Sequence, residues 1–187
     1  MNIANKISTF RILSVPFFVA AILYYSPQRS YMRFVALGIF ILAALSDVAD
    51  GYMARRSKQQ SKAGLILDPL GDKLLLISAF ICLSVNTNLQ PRFPLWVILI
   101  VISRDVIIIL GAVTVHMVKQ TINILPTKWV KLTTAFQVLA VISVLLQLNI
   151  SPLFWWLAVI FTVISGAVYI NRGFKVLYAQ DAVRNSH

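Results

Sequence analysis

The chain has no glutamate, a single cysteine and few charged residues of any kind. Charged residues make up 12% of its 187 residues and hydrophobic residues 59%, whereas about a quarter of the residues in a soluble domain are charged. The composition therefore excludes an ordinary soluble protein and predicts an integral membrane protein, with a length that suits one domain, residues 1–187. The lone Cys82 excludes an intramolecular disulfide and a multi-cysteine metal site.

Acidic residues are scarce as well, so the formal net charge is +11. In a soluble protein this excess would suggest nucleic acid as a partner, but soluble basic proteins do not carry apolar runs as long as these. We expect no nucleic acid and instead expect membrane lipids as partners, because anionic head groups attract basic residues next to a membrane.

Six apolar stretches have the length needed to cross a bilayer, which takes about 20 mostly apolar residues. The predicted fold class is all-α, with six transmembrane helices at residues 8–26, 34–54, 64–85, 94–118, 130–149 and 153–177. Turn-forming and polar residues separate these stretches. The short start, Asn2 to Thr9, is predicted to be an interfacial helix lying along the membrane surface.

Basic residues are distributed unevenly between the two sides of these predicted spans. With the N-terminus inside, twelve of them fall on the cytoplasmic side, and three fall outside, namely Arg29, Arg33 and Arg92. Because cytoplasmic segments carry the excess of Lys and Arg, both termini are predicted to be cytoplasmic.

Four of the six acidic residues fall within one window of 26 residues. They are Asp47, Asp50, Asp68 and Asp72, at the predicted cytoplasmic ends of the second and third spans. A carboxylate at the centre of a membrane helix costs roughly 2.5–3.5 kcal/mol, so acidic residues in spans usually mark function. Carboxylates this close also repel one another unless a cation lies among them.

The spacing of these residues brings them together on two helices. Residues 47, 50, 51 and 54 share one helical face, and residues 64, 68 and 72 share a face of the next helix. Hard oxygen ligands suit Mg²⁺ or Mn²⁺, and four carboxylates could hold two such ions. Gly51, Ala54 and Gly64 leave space beside the carboxylates for a ligand such as a diphosphate, although small residues also serve helix packing.

The complete pattern is D-x2-D-G-x2-A-R-x8-G-x3-D-x3-D, read from Asp47 to Asp72. It resembles the signature of the CDP-alcohol phosphatidyltransferase family at all eight fixed positions. The resemblance implies transfer of a phosphatidyl group from a CDP-linked lipid to an alcohol, with release of CMP. It further implies a bacterial cytoplasmic-membrane enzyme with a cytoplasm-facing active site, and a homodimer.

The resemblance also assigns roles to individual residues. Asp47, Asp50 and Asp68 would bind metal, and Asp72 would bind metal and act as general base on the acceptor hydroxyl. The cytidine diphosphate site would be lined by Gly51, Ala54, Arg55, Gly64, Ser8 and Arg11. Arg55 and Arg11 have an alternative role as positive-inside anchors.

The acceptor site is predicted less directly. Arg104, next to Asp105, lies inside the fourth span and could hold the acceptor's phosphate or head group, or it could form a buried structural pair with a polar neighbour. The other candidate cations for the acceptor are Lys128, Lys131 and Arg172.

Two acceptors fit these residues. The segment from Lys131 to Thr134 resembles the acceptor region of phosphatidylglycerophosphate synthases but lacks their second lysine, and the segment from Ile102 to Val106 looks more like cardiolipin synthases. We expect CDP-diacylglycerol as donor and place glycerol-3-phosphate ahead of phosphatidylglycerol as acceptor. A cation-coupled transporter is the alternative from a different class, although the sequence has no paired halves.

Overall fold

The computed structural model describes residues 3–57, 64–119 and 128–184. Within that part of the chain all regular secondary structure is helical, with no strand, as the apolar stretches predicted. The helices are α1 (Ile3–Leu23), α2 (Tyr31–Ser57), α3 (Gly64–Val85), α4 (Leu95–Lys119), α5 (Lys128–Leu145) and α6 (Ser151–Arg184). A single 3₁₀ turn, Pro27–Arg29, joins α1 to α2.

Each helix corresponds to one predicted span, and the differences lie at the ends. Helix α1 is continuous from Ile3, so the stretch predicted to be interfacial runs without a break into the first predicted span. Helix α6 has 34 residues, or about 51 Å at 1.5 Å per residue. This exceeds the hydrocarbon core of a bilayer, which is about 30 Å thick, so α6 is longer than a single crossing requires.

Within the described residues, one helical segment is long and apolar enough to cross a membrane, namely Ser151–Asn171. Four others are apolar but shorter, at 10–17 residues: Thr9–Leu23, Tyr31–Ser46, Lys73–Val85 and Trp129–Leu145.

The chain divides into two compact units, the first formed by Met1–Pro94 and Val138–Pro152. In this unit α1 packs against both α2 and α3. Ala36, Ala43 and Ala79 are completely buried, and such small side chains let membrane helices approach closely. The rings of Phe18 and Phe40 meet across α1 and α2 with centroids 5.8 Å apart.

A folded connection closes one end of this first unit. Asn86 follows α3, and its Nδ2 donates a hydrogen bond of 2.7 Å to the carbonyl of Ile22 near the end of α1. Its Oδ1 accepts one of 3.0 Å from the backbone N–H of Asn88. Beyond it, Phe93 is buried against Phe80, with ring centroids 4.6 Å apart. The Asn86 amide thus ties the α1 end to the segment that follows α3.

The second unit is formed by Leu95–Gln137 and Leu153–His187. Here α5 and α6 are joined by polar as well as apolar contacts. Thr133 Oγ1 lies 2.9 Å from the carbonyl oxygen of Phe161, and Gln137 Nε2 donates to Thr162 Oγ1 at 3.2 Å. The rings of Phe136 and Phe161 stack with centroids 4.6 Å apart. The bond to Thr162 gives the buried side-chain amide of Gln137 a hydrogen-bond partner.

We predict that Asn86→Ala destabilises the protein. The substitution removes a part-buried bond to the Ile22 carbonyl and an exposed bond from the Asn88 N–H, so we expect a loss of about 0.5–1.5 kcal/mol. The measurement is the unfolding temperature of purified protein in detergent. Asn88→Ala is the matched control, because the side chain of Asn88 is exposed and its backbone bond survives. Equal unfolding temperatures for the two variants would contradict the prediction.

Candidate functional site

The four predicted carboxylate ligands all lie on helical backbone in the first unit. Asp47 and Asp50 belong to α2, and Asp68 and Asp72 belong to α3. Because both segments are helical, the periodicity that places residues 47, 50, 51 and 54 on one face, and 64, 68 and 72 on another, applies to them. Their side chains lie outside the described residues, so the metal-binding roles stay a prediction.

The small and basic residues of the motif follow the same pattern. Gly51, Ala54 and Arg55 lie on the last turns of α2, and Gly64 is the first residue of α3. Their side chains also lie outside the described residues. Among the side chains that are described, no group of three or more His, Cys, Asp or Glu residues could hold a metal ion. The donor chemistry of the Asp47–Asp72 window therefore remains the basis for expecting a metal here.

Helix α1 brings one further predicted ligand into this unit. Arg11 lies on α1, the helix that packs against both α2 and α3, and it is only 1% exposed. An arginine that merely anchors a helix keeps its guanidinium among water and head groups. Burial of Arg11 therefore favours a role inside the protein over the anchoring alternative. Ser8, one turn earlier on α1, has its side chain outside the described residues.

Arg104, the predicted acceptor ligand, lies on α4 in the second unit and is held by two neighbours. Its Nη1 donates to Asp105 Oδ1 and its Nη2 to Ser165 Oγ, each at 2.7 Å. Arg104 and Asp105 are each 5% exposed, and Ser165 on α6 is 1% exposed. Gly166 lies against the arginine: a Cβ added there would be 3.5 Å from Arg104 Cγ. The third nitrogen, Nε, is buried and has no hydrogen-bond acceptor among the described residues.

This arrangement is compatible with both roles that the sequence left open for Arg104, a buried structural pair and binding of the acceptor's phosphate. The pairing with Asp105 is real and buried, as the structural alternative expected. The unbonded Nε also leaves a donor that a purely structural pair would normally satisfy.

The other three predicted acceptor cations are placed by the helices but not brought into contact with Arg104 by any described bond. Lys131 lies on α5 with its side chain exposed. Lys128 is the first residue of α5, and Arg172 lies on α6. The side chains of Lys128 and Arg172 are outside the described residues.

Sequence reasoning missed Ser165. It follows Arg104 by 61 residues and stands in an apolar run, where a serine is most simply interpreted as a small packing residue. No spacing rule relates it to Arg104, and only the packing of α4 against α6 reveals the bond. A weak signal was available, because a buried arginine in an apolar helix requires polar partners from other helices.

Comparison with known proteins gives the family. The CDP-alcohol phosphatidyltransferase family matches residues 1–164, a range that contains the whole aspartate motif, Arg11 and Arg104. A Mycobacterium tuberculosis protein named "Probable phosphatidylglycerophosphate synthase" is 32% identical over 181 residues, covering 93% of this chain and 82% of the relative.

Two further relatives carry the name "CDP-diacylglycerol--glycerol-3-phosphate 3-phosphatidyltransferase". The protein from Bacillus subtilis (strain 168) is 31% identical over 199 residues, covering 94% of this chain and 97% of the relative. The protein from Aquifex aeolicus (strain VF5) is 28% identical over 188 residues, covering 96% and 100%. The match to the family and these full-length similarities agree with the aspartate motif, so the chain belongs to the CDP-alcohol phosphatidyltransferase family of membrane enzymes and is a transferase of phospholipid biosynthesis.

Proposed function

We propose that the protein transfers the phosphatidyl group of CDP-diacylglycerol to glycerol-3-phosphate, giving phosphatidylglycerophosphate and CMP. The observation that carries the proposal is the complete aspartate motif, with both halves on helical backbone of one compact unit. The three relatives align with more than nine-tenths of this chain, and their names support glycerol-3-phosphate as the acceptor.

The metal site is the second part of the proposal. Asp47, Asp50, Asp68 and Asp72 would hold Mg²⁺ or Mn²⁺, with two ions balancing four carboxylates. Metal bound there would neutralise the diphosphate oxygens and stabilise the departing CMP. The donor set fits this use, since it consists of hard oxygen ligands only, at the spacing of a helical face.

Asp72 is the proposed general base. Its carboxylate accepts the proton of the acceptor hydroxyl while that oxygen attacks the phosphorus of the phosphatidyl group. The bond between that phosphorus and the CMP oxygen breaks, and CMP leaves with the electron pair. Gly51, Ala54, Arg55 and Gly64, with Ser8 and Arg11 of α1, would bind the cytidine diphosphate part of the donor.

Arg104 would bind the phosphate of the acceptor, with Lys131, Lys128 and Arg172 supplying further positive charge. The support is the buried Nε of Arg104, which has no acceptor within the described part of the chain. A phosphate oxygen of the acceptor could accept a hydrogen bond from this Nε–H. Phosphatidylglycerol, the acceptor of a cardiolipin synthase, carries a phosphate too, and the experiment below separates the two.

The first prediction concerns the reaction itself. Purified protein given CDP-diacylglycerol should release CMP with glycerol-3-phosphate and not with phosphatidylglycerol. Asp72→Asn removes the proposed base and should lower the rate about 10²–10⁴-fold. The measurement is CMP release with each acceptor supplied separately.

The control for this assay is Asp181→Asn, the same substitution outside the aspartate motif and outside the range that matches the family. It should retain the wild-type rate. Release with phosphatidylglycerol alone would replace the proposed acceptor, and release with neither acceptor would overturn the proposal and favour the transport alternative, tested by cation flux in liposomes.

The second prediction concerns the metal. EDTA should abolish CMP release, and adding Mg²⁺ or Mn²⁺ in excess should restore it, because the repelling carboxylates require a cation. Isothermal titration of Mn²⁺ into metal-free protein should give two sites, reduced in Asp68→Asn. Full activity in EDTA after exhaustive dialysis would contradict the metal assignment.

The membrane arrangement completes the proposal. We infer six transmembrane helices, a cytoplasm-facing active site, both termini in the cytoplasm and, from the family resemblance, a homodimer. The support is the twelve-to-three distribution of basic residues and the large apolar side chains left exposed on the helices, such as Phe17, Leu23 and Leu95.

The third prediction tests this topology. In a Cys82→Ser background, Ser30→Cys should react with a membrane-impermeant maleimide on intact cells. Ser61→Cys should react only after the cells are permeabilised, since it lies in the predicted cytoplasmic connection between α2 and α3. Labelling of both positions, or of Ser61→Cys alone, on intact cells would contradict the arrangement.

A further inference from the structure

The guanidinium of Arg104 is fixed by two side chains from different helices. Asp105 on α4 accepts a bond from Nη1, and Ser165 on α6 accepts one from Nη2, both 2.7 Å long. All three residues are more than nine-tenths buried. An arginine side chain has many rotamers, and two short bonds at the end of the chain restrict it to a few of them.

The packing around the stem of the arginine adds to this restriction. Arg104 Cγ would lie 3.5 Å from a Cβ built on Gly166, so the stem runs directly alongside the α6 backbone at glycine. Ser165 and Gly166 are neighbours in the sequence, so the bond to the head of Arg104 and the close approach to its stem come from the same part of α6.

One feature separates a positioning role from a simple link between helices. A buried side chain that only links two helices normally has all its hydrogen-bond donors satisfied, because an unsatisfied buried N–H is costly. Arg104 Nε is buried and bonds to no acceptor among the described residues. Each Nη atom donates one bond to the protein, whereas Nε is the guanidinium nitrogen that makes none among the described residues, so its N–H is available to a ligand.

We propose that Ser165 and Asp105 are positioning residues, which hold the Arg104 guanidinium so that its Nε–H donates to a phosphate oxygen of the acceptor alcohol. The proposal rests on the function proposed above, in which Arg104 binds that phosphate. Neither residue touches the substrate. Asp105 also balances the charge of the arginine, so the protein provides a directed donor here and not an additional net positive charge.

The test is the steady-state kinetics of Ser165→Ala with glycerol-3-phosphate as the varied substrate. Losing the bond to Nη2 should raise KM for glycerol-3-phosphate about tenfold, the size of one hydrogen bond to a charged group. The value of kcat and KM for CDP-diacylglycerol should stay at the wild-type level. Ser165→Thr, which keeps the hydroxyl, should restore KM for the acceptor.

The matched control is Ser143→Ala. Ser143 is 2% exposed, and its hydroxyl bonds only locally to the Ala140 carbonyl of its own helix, at 2.8 Å. It should show wild-type constants for both substrates. An unchanged acceptor KM in Ser165→Ala would overturn the proposal. So would a uniform loss of activity for both substrates with a lowered unfolding temperature, which is the result expected of a structural link alone.

A second variant covers the case in which Ser165→Ala does not fold. Asp105→Glu keeps the charge but moves the carboxylate by one methylene, so it should also raise KM for glycerol-3-phosphate while sparing KM for CDP-diacylglycerol. An unchanged acceptor KM would overturn the proposal. Failure of the proposed function would be distinguishable from failure of this positioning proposal. In that case wild-type protein would release no CMP with glycerol-3-phosphate, whatever the variants do.

Discussion

Polar groups buried among apolar helices must be satisfied within the protein, and this constraint organises much of the described structure. In the second unit it produces the bonds of Arg104 with Asp105 and Ser165, and that of Gln137 with Thr162. In the first unit Gln147 Nε2 donates to the hydroxyl of Tyr25 at 3.1 Å. Apolar contacts alone would allow helices to rotate or slide, whereas the bonds of Arg104 with Ser165, Gln137 with Thr162 and Gln147 with Tyr25 each fix one register between two segments.

The residues proposed to bind the donor and those proposed to bind the acceptor lie in different units. Every residue proposed to bind metal or cytidine diphosphate lies in the first unit, on α1, α2 or α3. The proposed acceptor residues, Arg104, Lys128, Lys131 and Arg172, all lie in the second. Helix α1 is central to the first group, because it packs against the helices that carry both halves of the aspartate motif.

The apolar stretches were sufficient to predict the helices but not all of their ends. The third predicted span, 64–85, coincides with α3 because polar residues border it on both sides. The last span was predicted to stop at 177, whereas α6 continues to Arg184. Hydropathy marks where apolar residues stop, and a helix continues as long as its residues permit the backbone bonds. The same reason explains why α1 begins at Ile3, ahead of its apolar run.

The spacing of the aspartates in the sequence predicted which of them share a helical face, since the members on each of the two helices are about one or two turns apart. It could not predict the partner of Arg104, because Ser165 is brought to it by tertiary packing across 61 positions. A buried pair of Arg104 with a polar neighbour was predicted as one of two alternatives, and the structure identifies that neighbour as Asp105. What remained open was whether any donor of that arginine would be left over, which depends on coordinates and not on composition.

A transferase that joins a phosphate-bearing acceptor to a diphosphate donor has to hold two anions, and this chain offers two kinds of cation for the task. Lys131 is exposed, so its ammonium acts as a point charge that attracts an anion from any direction. Arg104 is buried and its charge is balanced by Asp105, so it contributes little to long-range attraction. Its planar guanidinium instead fixes the direction of each donor. We infer that the exposed lysine favours the approach of the acceptor, whereas the arginine favours one orientation of it, and a reacting hydroxyl has to be oriented before any base can accept its proton.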